Sequence, residues 1–347
     1  LAGVTTVGEF HYVQHQADGT PYDDVSLLAK TVIQAARDVG LRIVLLRVGY
    51  ARAGHQVAPN PRQRRFIDPD VEVFLSRVEA LRRSVADPLV SVGLAPHSVR
   101  AVPKEWLRRI VEARLPGPLH MHVAEQPAEL RASLAETGRR PIELLADVGV
   151  LGPNFTGVHA IHLEANEVAL LGQSRSMVCA CPTTERNLGD GIVRADELMT
   201  AGVEFSLGSD SHAHIDLLDE AKQLEGHLRL LRLSRAVLFP KQVDGARESE
   251  LGRVLLRSLT VAGARSLGVD TGALTVGQPA DFVTLDVNHH TMVGAPKEAL
   301  LTAAVLGASS AAIRDVAVQG RFIVEEGRHA LSEQSAAAYS KVVDTLR

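Results

Sequence analysis

Short apolar runs that end in polar clusters recur along the chain, and a stretch of helical period follows most of them. Val4, Thr5, Thr6 and Val7 lead into Glu9, His11 and Tyr12, which predicts a first strand. Arg42–Tyr50 is nearly all apolar, as a strand buried on both faces should be. Leu89–Ala95, Leu119–Ala124, Phe155–Ala160, Ser176–Ala180 and Val203–Gly208 read the same way. Between them lie predicted helices over Val25–Val39 (closed by Gly40), Val71–Ser84, Pro103–Ala113, Ala128–Thr137, Pro141–Val148 and Glu164–Gln173. Val13–Asp24, Ala51–Asp70 and Thr183–Gly191 read as loops, the second a solvated excursion carrying Arg62, Arg64 and Arg65.

Alternating strands and helices predict parallel strands with helical crossovers. The polar clusters follow the strand C-termini, the catalytic face of a (β/α)8 barrel or the ligand crevice of a doubly wound sheet. No Gly-x-Gly-x-x-Gly follows the first strand, which favours the barrel. The expected architecture is therefore α/β, a (β/α)8 barrel of the TIM type. Seven strands are legible where such a barrel has eight, so the first is expected upstream of Leu1.

Beyond residue 215 the pattern changes. Asp219–Leu233 and Glu250–Leu267 predict amphipathic helices. Gly272–Asp286, broken by Gly and Pro, and the hairpin-like Ile313–His329, turning at Gln319-Gly320, predict a small partial β-sandwich. A last helix is expected over Glu333–Leu346. The expected units are residues 1–271 as barrel, 272–330 as partial sandwich and 331–347 as C-terminal helix.

Composition narrows the function. The hydrophobic share is 46%, enough for a large core, and the formal charge of −4 offers no basic surface for nucleic acid or anionic membrane. No apolar run approaches the roughly 18 residues of a membrane span, and no secretory signal is legible, so a cytoplasmic protein is expected. Cys179 and Cys181, one residue apart in an apolar strand, suit neither a disulfide framework nor a zinc knuckle.

The chemistry centres on Leu119–Gln126 (LHMHVAEQ). His120 and His122 share a strand face, and Glu125 follows where the strand should give way to a loop. A neutral imidazole suits a divalent metal, and a neighbouring carboxylate can move protons. Val158–His162 and Gly208–His212 end their strands in the same manner, so three strand ends point to one metal-assisted hydrolytic site. His120 is read as structural, His11 and His15 are open between structure and function, and His162 and His212 are candidate supporting groups. His289-His290 is read as solvent-facing.

These residues resemble the amidohydrolase superfamily, on His122 with Glu125, His159 after the next strand, Asp210 two strands on, and the Gly272–Asp286 return. Within it the chain is similar to the N-formimino-L-glutamate deiminases, on Glu9–Tyr12, His97–Val102, His120–Gln126, Val158–His162, Thr183–Gly191 and Ser209–His212. The resemblance implies a hydrolase that converts N-formimino-L-glutamate and water to N-formyl-L-glutamate and ammonia, with one divalent metal, zinc first. It implies His122 as metal ligand and Asp210 as ligand and proton acceptor. His159 would orient the water, Glu125 would shuttle protons at the substrate nitrogen, and Tyr12, His97 and Arg100 would hold the substrate. The partner expected is a small molecule bearing carboxylates; a homodimer is plausible for the family.

The superfamily's first-strand His-x-His pair has no counterpart from Leu1 onward, so weak or no metal is expected in this chain as given. The strand ending in Pro96-His97 carries no lysine to bridge a second ion, which favours one metal. The nearest rival is a deaminase of a cyclic amidine such as guanine, for which an aromatic wall would be needed; aromatics are only 4% of residues. From another class, the chain could be a barrel with an assembly role and no catalysis.

Overall fold

A computed structural model describes residues 1–345 apart from 56, 212–213 and 240–246, together with the backbone but not the side chains of 247–249. His212 therefore lies outside the described residues. The first part alternates β1 (Thr6–His11), α1 (Leu27–Asp38), β2 (Arg42–Gly49), α2 (Val71–Ser84), β3 (Val90–Pro96), α3 (Lys104–Ala113), β4 (Leu119–Val123), α4 (Pro127–Thr137) and α5 (Pro141–Asp147). It continues with β5 (Phe155–His159), α6 (Ala165–Ser174), β6 (Met177–Ala180), α7 (Pro182–Leu188), α8 (Ala195–Thr200) and β7 (Phe205–Leu207). The seven strands form one parallel sheet in the order β1 to β7. It is curled as a half-barrel, the expected barrel short of one strand.

The register is set where burial is complete. In β4 against β5, His122 pairs with Val158 and Val123 with His159, so the functional ends of the two strands are level. All five residues of each strand are buried, and slipping by one would turn the histidines into the helix layer. Phe74, Leu45, Met121 and Phe155 lie fully buried in the core between sheet and helices. At the β1 edge Gly8 leaves no room for a Cβ, because the Leu267 side chain packs onto it. At the β7 edge α10 (Arg247–Leu259) and α11 (Val261–Ser266) pack alongside, after α9 (Leu217–Arg232).

The small sheet is antiparallel, in the order β10–β9–β8, with β8 at Phe282–Leu285, β9 at Ile313–Val318 and β10 at Arg321–Val324. Gln319 and Gly320 both adopt positive φ at its hairpin turn. Arg42 in β2 reaches Asp281 ahead of β8, tying the two sheets together through a buried ion pair. A helix over Ser332–Thr345 follows. No helix among the described residues is long and apolar enough to cross a membrane.

Three elements depart from the pattern-based expectation. Thr183–Gly191 is not a loop: α7 begins at Pro182, whose fixed φ suits the first helical position. Thr183, Thr184 and Glu185 are buried, with Thr183 bonded to Glu220 and Thr184 to the Ser209 carbonyl, while Arg186 and Asn187 are exposed. Helix α8 lies in a stretch between the sixth and seventh strands for which no element is predicted above. The single helix expected over Glu250–Leu267 is two, because Thr260 leaves the helical region at φ −121° and ψ −92°.

Candidate active site

The site forms where β1, β3, β4, β5 and β7 end. Tyr12, His97, Arg100, His122, Glu125, His159 and Asp210, scattered over nearly two hundred residues of sequence, come together there. His122 and His159 stack with ring centroids 5.5 Å apart, and His97 lies 4.9 Å from His122. Tyr12 packs against His97 at 5.5 Å. Arg100 Nη2 donates to Glu125 Oε2 at 2.7 Å. His159 Nε2 lies 3.6 Å from Asp210 Oδ2 and 4.0 Å from Glu125 Oε1, so one imidazole faces both carboxylates.

Backbone strain marks the same strand ends. Ala124 (φ 49°), His159 (φ 71°), Ala160 (φ 51°) and Asp210 (φ 49°) occupy the left-handed region without being glycine. These turns stop each strand sharply and aim the side chains inward. After β4 the turn is held by Glu129, whose Oε2 accepts the Glu125 N–H at 3.0 Å.

Burial divides the charges. His97 is pushed down to about 3 by burial and by Arg100, so it is neutral, with Nδ1 on Ser98 Oγ at 2.8 Å. Burial, with His97 and His159 nearby, also drives His122 well below the usual range. Its Nδ1 donates to the His97 carbonyl at 3.1 Å, which leaves Nε2 as the basic nitrogen. For His159 burial again opposes charge, but the hydrogen bond and charge of Glu185, joined by Glu125 and Asp210, outweigh it and raise the ring to about 9. Burial raises Asp210, with His159 opposing. Tyr12 is pushed up by burial and by the Asp210 and Glu125 carboxylates, so its phenol remains a donor.

Several residues at the mouth carried no assigned role in the sequence. Glu185, 2% exposed, accepts from His159 Nδ1 at 3.2 Å and from the Cys181 N–H at 2.7 Å. It lies in Thr183–Gly191, where a run of polar residues reads as a loop and hides its burial. Gln126 donates to Asp190 Oδ1 at 2.8 Å, and His162 Nε2 bonds the Asp190 carbonyl at 2.8 Å. Phe10, Tyr12, Tyr50, Phe66 and His97 form a cluster of tilted and edge-on rings with centroids 4.8–6.5 Å apart. A low aromatic content thus conceals an aromatic cluster, in which Phe10, Tyr12, Tyr50 and Phe66, four of the chain's 13 Phe, Tyr and Trp residues, pack together. His120 and His15 are buried and bonded to the Ser266 carbonyl at 2.6 Å and the Ile67 carbonyl at 2.9 Å. His11 is buried beside Arg47, which together with burial lowers it to about 4.

The donor chemistry fits a divalent metal in part. A neutral His122 with its Nδ1 fixed, and the Asp210 carboxylate at the rim with 26% of its side chain exposed, are suitable ligands. They are two, where three or four protein ligands are usual. His159, Cys181 and Glu185 also bring donor atoms within 4.8 Å of one another. Hydrogen bonds account for that second grouping, because Glu185 Oε1 already takes two N–H groups.

The amidohydrolase family model matches residues 1–323. This chain belongs to the amidohydrolase family. It is 36% identical to a formimidoylglutamate deiminase of Pseudomonas aeruginosa over 347 residues, 99% of this chain and 75% of that protein. A 5-methylthioadenosine/S-adenosylhomocysteine deaminase of Halobacterium salinarum is 30% identical over 276 residues, 78% of this chain and 59% of that relative. Among solved structures, an amidohydrolase from Brucella melitensis superposes with a TM-score of 0.91 at 36% identity, over 99% of this chain and 75% of its own. An adenosine deaminase from Xanthomonas campestris with bound zinc shares the fold at a TM-score of 0.78 and 21% identity, over 98% of this chain and 70% of its own. The chain thus spans between 59% and 75% of the two relatives.

Proposed function

We propose that the protein is a metal-dependent deiminase that converts N-formimino-L-glutamate and water to N-formyl-L-glutamate and ammonia. The observation that carries this reading is Arg100, held 2.7 Å from Glu125 with its Nε buried and unpartnered. A fixed guanidinium beside a proton-donating carboxylate suits a substrate with a carboxylate a few bonds from its reacting nitrogen. The formimidoylglutamate deiminase relative has the same substrate in its name.

Each residue then has a task. His122 Nε2 and Asp210 would hold a divalent metal, zinc being the first choice for this donor set. When bound, such an ion supplies a nucleophile near neutral pH and stabilises negative charge on the adduct. Asp210 and His159 face one another at 3.6 Å, His159 placed to orient the attacking water and Asp210 to accept its proton. Glu125 relays to the leaving nitrogen the proton that the adduct's hydroxyl gives up as the new C=O bond forms, so that ammonia departs. Tyr12 donates its hydroxyl and neutral His97 its Nε2 side to the substrate, while Arg100 takes a carboxylate.

A second reading is favoured by the aromatic cluster. Phe10, Tyr12 and Tyr50 offer ring faces and edges that would suit a planar cyclic amidine, as in a nucleobase deaminase. One experiment separates the two: ammonia release from N-formimino-L-glutamate and from guanine and adenosine by the intact gene product, with metal quantified in the same sample. Turnover of the formimino substrate with about one metal per chain supports the deiminase. Bound metal with turnover only of a cyclic amidine moves the function to the second reading, and no turnover of any of them overturns both.

A further inference from the structure

We propose that Glu185 is a positioning residue of the reactive centre: its carboxylate holds the His159 ring by Nδ1 so that Nε2 faces Asp210 and Glu125. An imidazole presents its two nitrogens on different edges, so an acceptor fixed at one decides what the other can reach. Glu185 Oε1 is that acceptor, 3.2 Å from Nδ1. The same oxygen takes the Cys181 N–H at 2.7 Å, which pins it to the start of α7 and prevents it from following the ring. Both side chains are almost wholly buried, at 1% for His159 and 2% for Glu185, so water offers no substitute partner.

The backbone at His159 supplies a reason why such a device is needed. At φ 71°, followed by Ala160 at φ 51°, the strand end is in a conformation that residues with a Cβ rarely adopt. The ring is held at its far edge by a second element rather than by its own strand. On β5 alone, its Nε2 would have no fixed relation to Asp210, which comes from the turn after β7.

The rival explanation is that Glu185 only anchors α7. A neighbouring carboxylate makes this testable. Glu220, fully buried on α9, accepts both the N–H and the hydroxyl of Thr183 in the first turn of the same helix. Among the described residues its α7 partner is Thr183.

The kinetic part of the test rests on the deiminase reading; the spectroscopic part does not. Long-range proton–nitrogen NMR on histidine-labelled protein reads the protonation and hydrogen bonding of His159 Nδ1. Glu185→Ala should lose the hydrogen-bonded Nδ1–H signal and lower kcat roughly 10- to 100-fold, with KM within about threefold. Glu185→Gln, which keeps an acceptor oxygen and serves if the alanine variant folds poorly, should retain the signal and recover part of kcat. Glu220→Gln should lower thermal stability and leave kcat of the folded protein unchanged. An unaltered His159 signal in Glu185→Ala overturns the proposal, and so does a kcat loss in Glu220→Gln as large as in Glu185→Ala. If the wild type does not act on N-formimino-L-glutamate, the deiminase reading fails by itself and the NMR arm still decides the role of Glu185.

Discussion

Two sets of buried charges divide the molecule. Beside β2, Arg47 forks onto Asp68 at 2.7 and 2.9 Å, Arg77 adds a third bond at 2.9 Å, and the carboxylate is sealed from water. Arg42 binds Asp281 with three contacts of 3.1–3.4 Å. At the strand ends the distances are 3.6 and 4.0 Å from His159 to Asp210 and Glu125, too long for hydrogen bonds. The β2 charges have spent their bonding capacity on each other, whereas at the mouth His159 Nε2 stands beyond bonding distance of both carboxylates, although Glu125 Oε2 is bonded to Arg100 and His159 Nδ1 to Glu185. Buried charge is therefore a poor sign of function on its own; unspent capacity in a cluster is a better one.

The largest test of that contrast removes a charge from the mouth. Glu125→Gln keeps size and packing but cannot deliver a proton, and should lower ammonia release at least about a thousandfold, with the thermal midpoint little changed. A modest loss of rate would mean that Glu125 belongs with the structural pairs.

Asp68→Ala makes the opposite cut. It strands Arg47 inside the protein, and breaking a buried pair from one side costs about 3–5 kcal/mol. Chemical denaturation should show that loss, while kcat of the remaining folded protein is unaltered. Full stability in this variant would break the comparison.

The smallest effect lies on the border between the two sets. Glu129, 1% exposed, has one oxygen on the Glu125 N–H and the other without a partner. Burial, partly offset by Arg100, raises its carboxyl to about 7. Between pH 4.5 and about 7 the folded state keeps a proton that the unfolded chain has released. The stabilisation is complete below that window and is lost as pH rises through it, at up to roughly 1.4 kcal/mol per pH unit. Glu129→Gln should flatten this slope in denaturant midpoints measured from pH 5 to 7. Parallel slopes for variant and wild type would show that Glu129 is ionised throughout and spent like Asp68.

Much of the barrel was legible because its strands are buried on both faces. β2, β3, β4 and β5 lie within about a residue of their apolar runs, and α2 matches at both ends. The small sheet was harder, since Gly272–Asp286 carries one strand, Phe282–Leu285, where its breaks suggested several. α7 is hidden in the sequence because Thr183, Thr184 and Glu185 are polar, and polarity reads as exposure. Their partners, Glu220, Ser209 and His159, lie 25 to 37 residues away.

What the sequence determined by itself is the alternation of strands and helices and the order of Tyr12, His97, Arg100, His122, Glu125, His159 and Asp210 at their ends. Local pattern suffices there, because period and burial are properties of a few consecutive residues. Only the tertiary structure decided that Arg47 is spent on Asp68 and that Phe10, Tyr12, Tyr50 and Phe66 pack into one cluster. The same holds for Glu185, whose carboxylate stands behind His159. Those are relations between residues far apart in the chain, and the distances and burial that set their energies exist only once the sheet has curled.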